Sequence, residues 1–312
     1  MAKKQKKLKR VKGKEFFNYK KRRGDRTDGW RVRSSDPMFD LIPHIMPTRN
    51  DAQVFFEETI ESDALDKFMR QQRRDPASDM PQLSRLIVLM AALVRAVARY
   101  PKLNRFCAGK KIYARNELTI SMTVKRSMSI DSDETVIKPH FFPNYTLKDV
   151  YDALMKELST TKGDEAEKSS TDDFVSTLTS IPQWMIRAVV RWVNRRDATK
   201  GPAKFLKEIS PFHTSCFVTD MGSTGIGPVY HHIYNMGTTS VFIAMGKREK
   251  KLALDEHGQP QYINTIGLKI VIDERVADGF YYAKAIRYIT HLLQNPELLL
   301  LPPEEINEDP LC

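Results

Sequence analysis

The segment Ile270 to Gly279, IVIDERVADG, constrains the fold of this chain more than any other stretch. Three apolar residues that favour extended backbone run directly into Asp-Glu-Arg, and an Asp-Gly pair begins four residues after the glutamate. Asp278 in that position caps a following helix through its carboxylate, and Gly279 admits close backbone approach. A strand that turns this sharply into a helix belongs to a layered α/β domain.

The rest of the chain supplies matching elements. Gln53 to Ile60 has the aromatic and β-branched residues of a strand. Ser62 then opens a helix through Arg74, with Leu65, Phe68 and Met69 at i, i+3, i+4 spacing. A mostly apolar helix runs from about Leu83 to Arg99 and is stopped by Pro101. Short strands are expected over Lys111 to Ala114, Leu118 to Lys125 and Thr135 to Pro139. In the second of these, Leu118, Ile120, Met122 and Val124 alternate with small or polar residues. An amphipathic helix over Leu147 to Leu158 precedes a polar loop over Thr160 to Asp173. Strands return at Cys216 to Thr219, Ser240 to Met245 and Thr265 to Ile272, and a last helix spans Tyr281 to Leu293. There is no regular βαβ alternation, so the sheet is expected to be mixed or mostly antiparallel.

The formal net charge of +11 is unevenly placed. Residues Met1 to Arg23 hold 12 of the 50 Lys and Arg and one of the 39 acids, which leaves 38 of each sign elsewhere. That distribution argues against a nucleic-acid-binding core, whose basic excess would lie on the folded surface. Residues 1–23 read as a disordered tail open to an anionic surface, whether RNA, lipid or an acidic partner. Residues 24–48 read as an extended arm, and 49–312 as one domain with an insert over 160–209. Within that insert, Trp184 to Val193 mixes Trp, Ile and Val with arginines, which suits either a membrane interface or packing on protein. No run of about 18 apolar residues exists that would span a membrane. Three cysteines without metal-type spacing (Cys107, Cys216, Cys312) point to a reducing compartment, with the cytoplasm as the expected location.

The corner Asp273-Glu274-Arg275-Val276-Ala277-Asp278-Gly279 resembles the His-x-x-x-Asp-Gly motif of the chloramphenicol acetyltransferase and 2-oxoacid dehydrogenase E2 acyltransferases. The E2 branch commonly has Asp-His-Arg-Val-x-Asp-Gly, so only the catalytic position differs. Phe217-Val218-Thr219-Asp220-Met221-Gly222 is similar to the family's strand ending in Ser/Thr-Asn-x-Gly. Ala244-Met245-Gly246, Pro101-Lys102-Leu103-Asn104 and Asn295-Pro296-Glu297-Leu298-Leu299 are similar to further family segments. The resemblance covers roughly Arg49 to Leu300 and is thin between Tyr145 and Ser210.

The resemblance implies a two-layer α/β sandwich of the chloramphenicol acetyltransferase-like, CoA-dependent acyltransferase type with a mixed sheet. It implies a homotrimer whose channel between subunits takes coenzyme A or acyl-CoA as substrate, with no metal. At Glu274 the family's histidine removes a proton from a thiol or hydroxyl nucleophile. The hydroxyl at Thr219, from the neighbouring subunit, would hold the tetrahedral oxyanion, near Gly222 in the substrate-binding turn. The aspartate matching Asp278 would order the corner by pairing with an arginine, for which Arg49 is the candidate. The lipoyl domain of full-length E2 enzymes is not expected in this chain.

Glutamate for histidine has a definite chemical cost. With Glu near pKa 4.3 and His near 6.5, proton transfer loses roughly 3 kcal/mol of driving force, about a hundredfold in rate. Burial raises a glutamate far enough to remove that deficit. His232, in the His231-His232 pair after Gly227, is a substitute base to be tested by His232→Ala; adjacent histidines on extended chain face opposite ways and do not bind one metal together. Two functions remain open: an acyltransferase using Glu274, or a non-catalytic trimeric scaffold or acyl-CoA-binding module held to an anionic surface by its tails.

Overall fold

A computed structural model of the chain describes residues 16–17, 19–33, 36–125, 134–161 and 182–309. Of the loop expected over Thr160 to Asp173, the first two residues are instead the end of a helix that runs Leu147–Thr161, and 162–173 lie outside the described residues, as do Cys312 and most of the basic tail.

The main sheet is mixed and seven-stranded, with strand order β2-β10-β9-β8-β5-β6 and β7 beside β5. Its strands are β2 (Gln53–Glu61), β5 (Leu118–Lys125), β6 (Glu134–Ile137), β7 (His140–Phe141), β8 (Cys216–Asp220), β9 (Val241–Leu254) and β10 (Pro260–Asp273). β8 is parallel to both β5 and β9, while β10 is antiparallel to β9 and β2. A separate three-stranded sheet holds β1 (Gly29–Arg31), β3 (Arg105–Ala108) and β4 (Lys111–Arg115).

Four helices cover one face of the main sheet: α2 (Asp63–Arg74), α3 (Arg85–Arg99), α4 (Leu147–Thr161) and α7 (Gly279–Gln294). α3 starts at Ser84, whose side chain accepts the Ile87 N–H, and its run Leu86 to Ala96 is buried between sheet and helices. Ile243, Met245, Leu268, Ile270 and Ile272 meet it from the sheet, every second residue of their strands. Burying each such side chain contributes about 1.5–3 kcal/mol. On the opposite face the segment Ile226 to Asn235 packs through a small cluster of Ile233, Phe217, Phe242 and Val271.

That segment crosses the sheet very closely. Pro228 lies over Gly246 and Gly267, and a Cβ added at Gly246 would sit 2.3 Å from the proline ring. Glycine is therefore required there by space alone.

Two sequence expectations are corrected. The arm is not merely extended: it contains β1 and a helix, α1 (Pro37–Ile45), capped by Asp36, whose carboxylate accepts the Met38 N–H, with proline at its first turn. The tail boundary at residue 23 also falls inside packed structure. Tyr19 sits edge-on to Trp30 at 4.6 Å and donates to Glu308 at 2.8 Å. The insert contributes α5 (Gln183–Lys200) and α6 (Lys204–Ile209).

β9 and β10 each run for 14 residues, well beyond the short strands expected. Their outer halves pair only with each other and project as a ribbon with Leu252, Leu254 and Tyr262 exposed. Both faces of the ribbon are wet, so its sequence lacks the apolar alternation that reveals a half-buried strand.

Candidate functional site

The charged corner closes β10 on a buried carboxylate. Asp273 is 0% exposed and accepts two hydrogen bonds from Arg275, Nε to Oδ1 and Nη2 to Oδ2, each 2.8 Å. Arg49 Nε lies 3.4 Å from the same carboxylate. Arg49 also donates to the Tyr234 and Cys107 carbonyls, and Arg275 to those of Met46 and Pro47. Two guanidiniums thus fasten the end of the arm, β3 and the Ile226–Asn235 segment to one aspartate. Fork-to-fork geometry of this kind fixes orientation as well as charge.

Between those anchors Glu274 is held only by its backbone, with its N–H donating to the Ala52 carbonyl at 2.9 Å, and its side chain is exposed. Asp278 is also exposed and caps α7 by accepting the Tyr281 N–H at 2.8 Å. Arg49 therefore pairs with Asp273, and the role that the residues themselves suggested for Asp278, a helix cap, is the one it fills.

Thr219 occupies the other end of the sheet. It lies opposite Ala244 of β9, which lies opposite Lys269 of β10, five residues before Glu274. Five residues along a strand and two strand spacings across separate Thr219 and Glu274 of one chain by about 19 Å. β10 runs against β8, so the two residues lie at opposite ends of the strands.

Beyond Thr219, Asp220 accepts the Gly222 N–H at 3.0 Å and starts a tight turn. Burial raises the Asp220 pKa. A cavity of about 430 Å³ opens beside this turn. Arg70 and Arg73 of α2, Arg85 at the start of α3, and Lys247 and Arg248 of β9 line it, with Gly222 and Ser223. Asp66 holds Arg85 at 2.7 Å and Arg248 at 3.4 Å, leaving basic charge in excess. An anion of moderate size fits that chemistry. Sequence reasoning missed this group because its members come from three separate segments. The i, i+3 spacing of Arg70 and Arg73 was the available signal.

The histidines stand apart from one another. His231 stacks on Phe242 with ring centroids 4.5 Å apart, while His232 is exposed, edge-on to Tyr234 at 4.7 Å. Their segment reaches the Glu274 end of the sheet, where Gln53 donates to the Ile233 carbonyl. His213 is buried, with Nε2 at 3.2 Å from Asp197 Oδ2 and Nδ1 at 2.8 Å from Ser210 Oγ. Cys107 and Cys216 are buried thiols, and burial pushes Cys107 up to about 11, so it is no thiolate nucleophile at neutral pH. Among the described residues no group of three or more His, Cys, Asp or Glu could hold a metal ion.

Neither a family model nor a curated protein sequence matches the chain. Solved structures do. A probable dihydrolipoamide acetyltransferase from Listeria monocytogenes 4b F2365 superposes with TM-score 0.53 at 12% identity, covering 84% of this chain and 95% of that one. The cubic core of the pyruvate dehydrogenase multienzyme complex gives 0.51 at 15% identity, covering 85% and 89%. A truncated catalytic core of the 2-oxoacid dehydrogenase multienzyme complex from Thermoplasma acidophilum gives 0.51 at 11%, covering 85% and 98%. The chain thus has the fold of the 2-oxoacid dehydrogenase E2 catalytic cores, a two-layer sandwich of the chloramphenicol acetyltransferase-like type with a mixed sheet.

Proposed function

We propose that this protein is a homotrimeric acyltransferase that moves an acyl group between coenzyme A and a thiol or hydroxyl acceptor at sites shared by neighbouring copies. The observation that carries the reading is the separation of Thr219 and Glu274 by about 19 Å in one chain. A site using both must take Glu274 from one copy and Thr219 from the next. Between the two ends, Phe55 of β2 and Ile226, Val229, Tyr230 and Tyr234 of the segment lying over the sheet are all exposed in a single chain. Exposed apolar side chains of this size, with Phe55 and Tyr230 in ring contact, suit burial against a second copy.

In this reading the basic cavity beside Gly222 receives the phosphates of coenzyme A. The Glu274 carboxylate takes the proton of the acceptor as its sulfur or oxygen attacks the thioester carbon. The Thr219 hydroxyl donates to the oxyanion that forms, the carbonyl re-forms, and the coenzyme A thiolate leaves with the proton returned from Glu274. Glu274→Gln should lower turnover by at least about a hundredfold without altering the oligomer. Glu274→His should support turnover with a base of ordinary pKa.

A second reading is a trimeric acyl-CoA-binding scaffold without turnover. Its support is the exposure of the Glu274 side chain, which leaves the carboxylate in water within one chain. Under that reading Glu274→Gln leaves ligand binding and every measured activity unchanged.

A further inference from the structure

α5 is largely exposed and stands outside the proposed acyl-transfer site. Of its 18 residues only Asp197 is buried, gripped by Arg26 at 2.7 Å and by His213. Ile186, Val189 and Val193 lie half-buried on the side turned to the domain. The outward side carries two adjoining strips, as follows from 100° per residue. Trp184, Ala188 and Trp192, at i, i+4 and i+8, form one, with Met185 at its border. Arg187, Arg191 and Arg195, at the same spacing, form the other. Trp184 is 69% exposed and Trp192 61%, and the Arg196 guanidinium sits 6.0 Å from the Trp192 ring. No acid occurs in the helix before Asp197.

We propose that α5 is a peripheral membrane-docking helix for anionic lipid surfaces. An arginine ladder with no acid in its own helix before Asp197 matches a layer of phosphate headgroups, each basic residue contributing about fivefold to partition. Two exposed indoles beside Met185 match the boundary between headgroup and acyl chain, where amphipathic rings settle. Double-stranded nucleic acid would engage the arginines and leave the Trp-Ala-Trp strip in water. No helix is long and apolar enough to cross a membrane among the described residues, so the contact is lateral. Asp197 fastens the helix to the domain through Arg26, which makes α5 a fixed shelf.

The chain has three tryptophans, and Trp30 is buried under Tyr19, so an emission change on docking reports α5. Full-length protein is mixed with vesicles of phosphatidylcholine and phosphatidylglycerol in a three-to-one ratio, or of phosphatidylcholine alone. Expected is co-sedimentation with a blue shift of emission on the anionic vesicles only. Replacing Arg187, Arg191 and Arg195 together by Gln should weaken partition by about a hundredfold. Trp184→Ser with Trp192→Ser should weaken it while leaving the melting transition unchanged. Sedimentation with no blue shift would assign the lipid contact to the basic tail and overturn the proposal. So would an unchanged partition in the arginine variant. A change of oligomer mass in the double serine variant, with no vesicle effect, would reassign the helix to contact with a second copy. Binding of double-stranded RNA in preference to vesicles would overturn the proposal as well.

Discussion

Thr219 and Glu274 lie at opposite ends of one sheet, two strands and five residues apart, on opposite sides of β9. No rotamer of either residue closes a gap of about 19 Å. A shared site therefore requires assembly, and three copies of the 36.0 kDa chain make about 108 kDa by light scattering. Phe55 and Tyr230, both exposed, meet edge to face at 5.3 Å. Phe55→Glu with Tyr230→Glu should shift the mass towards 36 kDa. A monomeric parent protein at micromolar concentration would remove the shared-site chemistry.

The same geometry makes complementation informative. Glu274→Gln and Thr219→Ala copies should each be nearly inactive alone. Mixed one to one and reassembled, roughly a quarter of the interfaces regain both native groups, and roughly that share of activity should return. No recovery in mixed trimers would mean that each copy uses its own residues.

Asp273 and Asp278 separate in a stability measurement. Asp273 is buried with two guanidiniums, and Asp273→Asn leaves charge uncompensated at a cost of about 3–5 kcal/mol. Asp278→Ala removes one exposed cap, about 1 kcal/mol. Urea unfolding of the two variants reads the difference directly. Equal losses would contradict the pairing of Arg49 with Asp273.

Lys138 gives a pH test with a definite sign. Burial lowers its pKa to about 8, with Glu117 opposing, and its ammonium donates to the Lys207 carbonyl at 2.8 Å. The unfolded value is about 10.4. Below pH 8 the folded chain holds a partly desolvated charge; between about 8 and 10.4 it sheds that proton while the unfolded chain keeps it. This contribution to stability therefore rises with pH across the window. The urea midpoint of the parent should gain on that of Lys138→Met between pH 7 and pH 10. A constant difference over that range would contradict the lowered value.

The Asp273–Gly279 corner was legible because strand, cap and turn residues sit within ten positions, where local chemistry decides the structure. Asp278 as a helix cap followed from the residues, whereas its pairing with Arg49 rested on the resemblance and went instead to Asp273. Two carboxylates five residues apart cannot be told apart without knowing which one the sheet buries. α1 was hidden because Pro37 and Pro43 look like breakers, although Asp36 before a first-turn proline is a helix start. The basic cavity was illegible for a different reason. Arg70, Arg85 and Lys247 are brought together only by the stacking of α2 and α3 on the end of β9.

That cavity should show its charge in ligand binding. Arg73→Glu with Lys247→Glu reverses two of five basic side chains and should weaken coenzyme A binding at least about tenfold. The loss should shrink as salt screens both proteins. Equal affinity in parent and variant would place the phosphates elsewhere.

The most direct measurement is a calorimetric titration of the purified assembly with coenzyme A and with acetyl-coenzyme A. The expected result is saturable binding of one ligand per chain below millimolar concentration, retained in Glu274→Gln. Absence of binding at millimolar ligand, in protein of trimeric mass, would contradict an acyl-coenzyme A site in this fold.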